Sequence, residues 1–118
     1  MRVSQGLRQW LTFEELVTEL DSDGAAVESW EPAFVLNPRM PCSVTPMSGR
    51  ELIAARAVQS KVSVRIVVRF RPGIVAAQRL RAEDGTIYNI EAVIPDSHTG
   101  RHHLTLQCST GVDSGGTA

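Results

Sequence analysis

The stretch from Ser48 to Arg71 constrains the fold most, because its periodicity changes in the middle. Ser48 followed by Glu51 is a capping box, in which each side chain bonds to the backbone N–H of the other residue. Good helix formers follow, with only a loose apolar stripe. From Lys61 the pattern alternates with a period of two until Pro72-Gly73 ends it. The sequence therefore predicts a short helix, about residues 49–60, that leads directly into a long strand.

The long strand has two different faces. Its inward side chains are predicted to be Val62, Val64, Ile66, Val68 and Phe70. Its outward side chains are predicted to be Lys61, Ser63, Arg65, Val67, Arg69 and Arg71. Such a strand packs one face on a core and leaves the other face to solvent or to a partner.

A β-hairpin is predicted before the helix. Residues 7–20 also allow a helix, but their Trp-Leu-Thr-Phe opening and the turn at residues 21–24 favour a strand. The return strand is predicted at about Ala26–Trp30. Four prolines then interrupt residues 31–47, where we expect residues 34–36 to pair locally and residues 42–44 to form a short strand.

Three more strands are predicted after the long one, at residues 78–82, 86–94 and 101–108. Asp84-Gly85 is typical of a type I′ turn between the first two. Residues 86–94 are apolar on both faces, which indicates a central strand or a subunit contact. Residues 109–118, rich in Gly, Ser and Thr, are predicted to be a disordered tail.

The predicted fold is mainly β. A chain of 118 residues with 42% hydrophobic residues forms one domain, here residues 1–108. Many short antiparallel strands indicate a small antiparallel β-barrel of about six strands with one short inserted helix, or a sandwich, since both arrangements protect strand edges.

Bulk properties argue against several classes of protein. Cys42 and Cys108 lie far apart, without the spacing of a zinc site, and no signal peptide is evident. The longest apolar run is too short for a bilayer, and the net charge of −1 gives no overall case for nucleic acid or membrane binding. We predict a cytosol-made, soluble protein in which both cysteines are small core hydrophobes.

No catalytic, metal or cofactor site is predicted. His102 and His103 would point to opposite faces of a strand, and with His98 they lack a further ligand at suitable spacing. Asp21-Ser22-Asp23-Gly24 resembles half of a calcium loop, but Trp30 stands where the bidentate glutamate belongs. Ser48 has no base placed to activate it and is better explained as a helix cap.

Basic side chains form a predicted row along the long strand. Lys61, Arg65, Arg69 and Arg71 are continued by Arg79 and Arg81 on the next strand. Such a row suits a phosphate backbone or an acidic partner, whereas a solvated strand face is the simpler interpretation. Single-strand binders require stacking aromatics among such charges, but no aromatic residue shares this face, because Phe70 is predicted to point inward.

The ordered series of motifs resembles the head closure, or head–tail joining, proteins of tailed bacteriophages. The matching features, over about residues 7–108, are a hairpin with Trp30 on its return strand, residues 44–52 (VTPMSGREL), residues 64–71 ending in RPGI, Arg79-Leu80-Arg81, residues 84–90 (DGTIYNI) and residues 104–108 (LTLQC). The chain departs from the family at Glu31–Pro41, which is more proline-rich, and at Leu7–Leu20, which alternates less clearly.

The resemblance implies a structural virion protein of the phage neck, with no enzyme activity and no cofactor. It implies a ring, usually twelve-fold, below the portal and its adaptor, which acts as a stopper for packaged DNA and docks the tail terminator or tail tube. No membrane partner is implied, and assembly takes place in the host cytoplasm.

Two groups of residues are candidates for these roles. The insertion at residues 46–61 is expected to face the channel and to gate it, through Ser48, Gly49, Arg50, Glu51, Leu52, Arg56 and Gln59. Subunit or partner contacts are expected from Arg65, Arg69, Arg71, Arg79, Arg81 and Glu91.

Other functions stay open at this level. A small barrel that binds nucleic acid would use the arginine row, and a tail-completion protein would act on the tail side of the same joint. A small enzyme is disfavoured, because no nucleophile–base pair can be assembled from the sequence.

Overall fold

The computed structural model describes residues 9–56 and 62–110, which form seven strands and one helix. In chain order these are β1 (Gln9–Leu20), β2 (Ala26–Pro32), β3 (Arg39–Pro46), α1 (Gly49–Arg56), β4 (Val64–Arg69), β5 (Arg79–Ala82), β6 (Ile87–Pro95) and β7 (His103–Thr110). All strand pairs are antiparallel.

Six of these strands close into a barrel. Neighbours follow the order β1-β3-β4-β7-β6-β5, and β5 returns to β1 through pairs that run from Leu11 with Ala82 to Glu14 with Arg79. Closure pairs both edges of every barrel strand, which protects them from other chains. The predicted mainly β fold, a small antiparallel barrel of about six strands with one short helix, is confirmed, and the sandwich alternative is wrong.

Strand β1 takes part in two structures. Its first half lies in the barrel between β3 and β5, and its second half pairs with β2, from Glu14 with Pro32 to Leu20 with Ala26. Because β3 is antiparallel to β1, the hairpin extends from the end of the barrel that contains Arg39, the first residue of β3. Helix α1 follows Pro46, the last residue of β3, at the other end of the barrel. The hairpin and the helix therefore lie at opposite ends of a molecule that is 52 Å long.

The barrel interior is filled by the apolar faces that alternation predicts. The buried members of this core are Leu11, Phe13, Cys42, Ile66, Val68, Ile74, Leu80, Ala82, Ile90, Leu104, Leu106 and Cys108. Each large aliphatic or aromatic side chain that is fully buried contributes roughly 1.5–3 kcal/mol. The core thus consists mainly of aliphatic side chains, and Phe13 is its largest fully buried side chain.

The proline-rich segment departs from its prediction in two ways. Strand β3 spans eight residues and includes Pro41 and Pro46. Pro41 lies in the part of β3 that pairs only with β1, and Pro46 in the part that pairs only with β4. Each missing N–H can therefore face a side without a partner strand. Residues 34–36, predicted to pair locally, form a loop between β2 and β3 instead.

The β5–β6 turn is not type I′. Only Gly85 has a positive φ, 94°, whereas a type I′ turn needs positive φ at both central residues. The Gly85 N–H donates to the Ala82 carbonyl at 3.0 Å, and the Ala82 N–H donates to the Thr86 carbonyl at 2.9 Å. The hairpin thus has a longer loop that closes through a left-handed glycine.

A β-bulge explains why β6 looks apolar on both faces. Its pairing with β7 shifts register between Ile90 and Ala92, which leaves Glu91 as the extra residue. An extra residue reverses the alternation, so Ile90 before the bulge and Val93 after it both pack on the core. Strand β6 is central, between β5 and β7.

Two predicted boundaries fall at the edges of the described chain. Strand β7 runs from His103 to Thr110 and Ser109 is buried, so the strand begins and ends two residues later than predicted. The remainder of the predicted tail, residues 111–118, and the predicted helix residues 57–60 lie outside the described residues.

Candidate assembly surfaces

Helix α1 begins with the capping box that the sequence predicts. The Glu51 N–H donates to Ser48 Oγ at 3.3 Å, and the Ser48 N–H donates to Glu51 Oε1 at 3.0 Å. The other oxygen of Glu51 accepts from Arg65 on β4. The Ser48 N–H, and then the Arg65 guanidinium, hold the pKa of Glu51 below its usual value.

Among the described side chains of α1, which end at Ala54, little apolar packing holds the helix against the barrel. Leu52 packs on Met47 and Val62 in a cluster separate from the barrel core, and Ile53 is 78% exposed. The contact with β4 is the ion pair between Glu51 and Arg65, whose two side chains are each 36% exposed, so solvent screens their attraction. The described apolar contacts of α1 therefore lie outside the barrel core.

The structure brings most of the predicted channel residues together at this end of the molecule. Ser48, Gly49 and Arg50 are exposed, while Glu51 and Leu52 are half-buried. The Arg56 side chain and all of Gln59 lie outside the described residues.

A second group of charges lies where β1 leaves the barrel. Glu14 is 6% exposed, and its two carboxylate oxygens accept from Arg79 Nε and Arg81 Nε, both at 2.9 Å. The Arg79 guanidinium also lies over the Trp30 ring, 4.3 Å from its centroid. Arg79 is 17% exposed and Arg81 is 46% exposed. This cluster ties the base of the β1–β2 hairpin to β5, with Arg79 spanning both.

A third contact set shapes the loop at residues 33–38, here called the tip loop. Both ends of this loop bond to the backbone of Phe13: the Ala33 N–H donates to the Phe13 carbonyl, and the Phe13 N–H donates to the Pro38 carbonyl, each at 2.8 Å. Phe34 turns inward, with its ring centroid 5.9 Å from that of Phe13 in an edge-to-face arrangement.

Arg71 holds the outer side of the tip loop. Its guanidinium lies 3.7 Å from the Phe34 ring centroid and donates to the carbonyls of Leu36, at 2.6 Å, and Asn37. Asn37 has φ of 53°, a left-handed conformation that asparagine tolerates better than most residues. Val35 is thereby left fully exposed and Leu36 74% exposed.

The predicted continuous row of arginines is wrong. Strands β4 and β5 are not neighbours, because β7 and β6 lie between them. Arg65 pairs with Glu51, Arg71 turns onto the tip loop, and Lys61 lies outside the described residues. The prediction assumed that β4 and β5, which follow one another in sequence, are also neighbours in the sheet, and the strand order of the barrel separates them.

Glu91 and Arg69, both predicted to make contacts, have different surroundings. Glu91 lies at the β6 bulge and accepts from Ser109 Oγ at 2.7 Å. Arg69 is exposed at the end of β4, opposite His103 on β7.

Asp96 organises the loop between β6 and β7, which contains His98 and His102 and ends at His103. Its two oxygens accept from the backbone N–H groups of His98, Thr99, His102 and His103. Those donors, with His102 first, hold the pKa of Asp96 well below its usual range. His98 and His102 are thus loop residues, and His103 is the first residue of β7.

Other reactive groups are used internally. Asp21 accepts from the N–H groups of Asp23 and Ala25, each at 2.9 Å, as a turn residue does. Cys42 and Cys108 are buried free thiols, and burial raises the pKa of Cys42 to about 12. Across residues 9–56 and 62–110, no three His, Cys, Asp or Glu side chains are arranged to hold a metal ion. No helix in that part of the chain has the length and apolar character needed to cross a membrane.

Sequence reasoning missed Glu14 and the tip loop as organising features. Glu14 looked like one of several hairpin carboxylates, since its partners lie 65 and 67 residues away. The tip loop carried a signal in its Phe-Val-Leu-Asn-Pro sequence, in which Asn before Pro favours a turn.

Comparison with known proteins agrees with this architecture. The model of the phage head completion protein family matches residues 4–111. Head completion protein gp7 of Enterobacteria phage HK97 is 33% identical over 107 residues, covering 87% of this chain and 88% of the phage protein.

Two solved structures share the fold. The solution structure of protein SF1141 from Shigella flexneri 2a superposes with a TM-score of 0.73 at 28% identity, covering 91% of this chain and 95% of that one. A chain in the virion of the native gene transfer agent particle superposes with a TM-score of 0.55 at 23% identity, covering 90% of this chain and 96% of that one. At this level of identity, the similarity shows a shared fold alone. The family match and the phage relative show that this chain belongs to the phage head completion proteins, structural virion proteins that close the phage head.

Proposed function

We propose that the chain forms a ring of like subunits, twelve-fold in the virion, beneath the portal and its adaptor protein. The ring closes the DNA-filled head and presents the surface on which the tail terminator or tail tube docks. Packaged DNA meets the ring in the channel without sequence specificity. In this proposal the protein acts by assembly, without a catalytic step.

The observation that carries the proposal is the two-ended shape of the subunit. A rigid closed barrel separates the hairpin at one end from helix α1 at the other, along a length of 52 Å. A connector has to contact one assembly on each side, and this arrangement supplies two distinct surfaces on one scaffold.

Helix α1 is proposed to face the channel and to gate it. Support comes from the weak attachment of its described part, one small apolar cluster and one partly exposed ion pair. If the helix gates, replacing residues 49–60 by a short flexible linker will produce particles that lose DNA although the ring still forms. Full DNA retention in such particles would contradict the gating role.

The proposal is tested by electron microscopy of lysates from a phage that lacks this gene, with the chain resupplied from a plasmid as control. We expect complete free tails beside heads that have lost their DNA, and normal particles after resupply. DNA-filled heads beside free tails would place the protein on the tail side of the joint. Normal infectious particles without the chain would overturn the proposal.

A further inference from the structure

The part of the hairpin beyond the barrel has no partner within the described chain. This outer hairpin, residues 15–31, consists of the ends of β1 and β2, which pair there only with each other. Exposed apolar side chains lie on both of its faces: Leu16 at 37% and Leu20 at 74% on one face, and Val27 at 48%, paired with Glu19, on the other. A two-stranded hairpin is marginally stable alone in water, so a surface that covers this one would stabilise it.

The charges of the outer hairpin all have one sign. No Lys or Arg occurs in residues 15–31, and the acidic residues are Glu15, Glu19, Asp21, Asp23, Glu28 and Glu31. Asp21 is engaged by the turn, whereas Glu15, Glu19 and Glu31 are exposed on the same face as Val27. A partner surface that complements this Val27 face is therefore apolar and positively charged.

The tip loop and the end of β4 form such a surface. Val35 and Leu36 project from a loop that Phe13 and Arg71 already hold in place, so little conformational entropy is lost when they bind. Arg69 is exposed two residues from Arg71, at the end of β4. The tip loop surface thus combines exposed aliphatic side chains with guanidinium groups, and it complements the outer hairpin, which combines exposed aliphatic side chains with carboxylates.

The two surfaces are spaced so that they meet between chains. The tip loop follows β2 at the base of the hairpin, while Leu20 and Ala26 pair six residue steps away, roughly 20 Å at about 3.4 Å per step. Contact between two outer hairpins would oppose carboxylates to carboxylates. Contact between an outer hairpin and a tip loop pairs opposite charges. Two different surfaces on identical chains give a head-to-tail interface, the type that forms a ring when the rotation between neighbouring subunits closes.

We propose that neighbouring copies join by docking the outer hairpin of one subunit on the tip loop and Arg69 of the next. This inference rests on the proposed ring and names the two surfaces that build it.

The test is disulfide cross-linking in assembled particles. A plasmid supplies the Val27→Cys/Leu36→Cys chain to a phage that lacks the gene, and purified particles are oxidised and run on a non-reducing gel. Both positions are exposed and both native cysteines are buried, so the new thiols alone are available to react. We expect a ladder of dimers and larger linked species that collapses to monomer on reduction.

Single variants are the controls. Neither Val27→Cys nor Leu36→Cys alone should give linked copies, whereas supplying both single variants together should give dimers and no larger species. Dimers from Val27→Cys alone would reveal a symmetric contact between hairpins and overturn the inference. Linkage of Leu36→Cys to a protein of another size, or particles that contain the chain without any ladder, would also overturn it. Particles that lack the chain altogether would instead overturn the proposed function.

Discussion

Replacing Glu14 by glutamine should destabilise the protein far more than the same change at Glu15. Glu14 is the carboxylate that both Arg79 and Arg81 contact, at 2.9 Å each, and it is 6% exposed. Its removal leaves the Arg79 guanidinium, on a side chain that is 17% exposed, without its carboxylate. Glu15, the next residue, is exposed and points to the other face of β1.

The expected loss follows from the burial of each pair. Removing one partner of a buried ion pair typically costs about 3–5 kcal/mol, because the other charge stays buried. The Arg81 side chain is 46% exposed, so its pair adds at most about 1 kcal/mol. Glutamine can still accept one hydrogen bond and Arg79 keeps its contact with Trp30, which points to about 3 kcal/mol in total. In a domain of this size, that lowers Tm by roughly 10–15 °C.

The assay is urea denaturation followed by tryptophan fluorescence. Trp30 lies 4.3 Å from the Arg79 guanidinium and reports on the cluster directly. The control, Glu15→Gln, should change the free energy of unfolding by less than about 0.5 kcal/mol. The double variant Glu14→Leu/Arg79→Met should recover most of the loss, since apolar side chains of similar size can replace a buried ion pair. Equal denaturation midpoints for Glu14→Gln and Glu15→Gln would refute the reasoning.

Three further changes probe other parts of the molecule. Gly73→Ala should lower the free energy of unfolding in urea by about 1–3 kcal/mol, because Gly73 has φ of 94° and an added Cβ would lie 3.1 Å from Phe34 Cε1. The control, Gly49→Ala, should be neutral or slightly stabilising, because an added Cβ there contacts no other atom within 4 Å. Equal losses of stability at both glycines would contradict this account. Ser48→Ala should cost about 1 kcal/mol of helix stability and speed proteolysis within α1, while barrel amide exchange stays unchanged; slower cleavage would count against the capping role. Asp96 has a lowered pKa in the folded state, so the stability it contributes is present above its unfolded pKa of about 3.9 and is lost as pH falls below that value. In acid titrations monitored by circular dichroism, the Asp96→Asn variant should therefore be less stable than the unchanged protein at neutral pH, and its stability should fall less steeply below about pH 4. Parallel stability curves for the two proteins would argue against the Asp96 loop as an acid-sensitive element.

Local chemistry in the sequence determined much of the architecture. The capping box at Ser48 and Glu51, the alternation through β4 and the inward Leu104, Leu106 and Cys108 of β7 all appear as predicted. These features depend on contacts within a few residues or on periodicity along one strand, so the linear chain contains the information. The same motifs, in the same order, were enough to indicate the family.

Only the tertiary structure decided which distant side chains meet. Glu14 meets Arg79 because β5 closes the barrel against β1, and Arg71 reaches the tip loop although 34 residues separate it from Asn37. The bulge at Glu91, which reverses the faces of β6, depends on register with β7 and leaves no local signature. Closure of the barrel set these registers, because each strand must satisfy two neighbours at once and no single strand carries that condition in its own sequence.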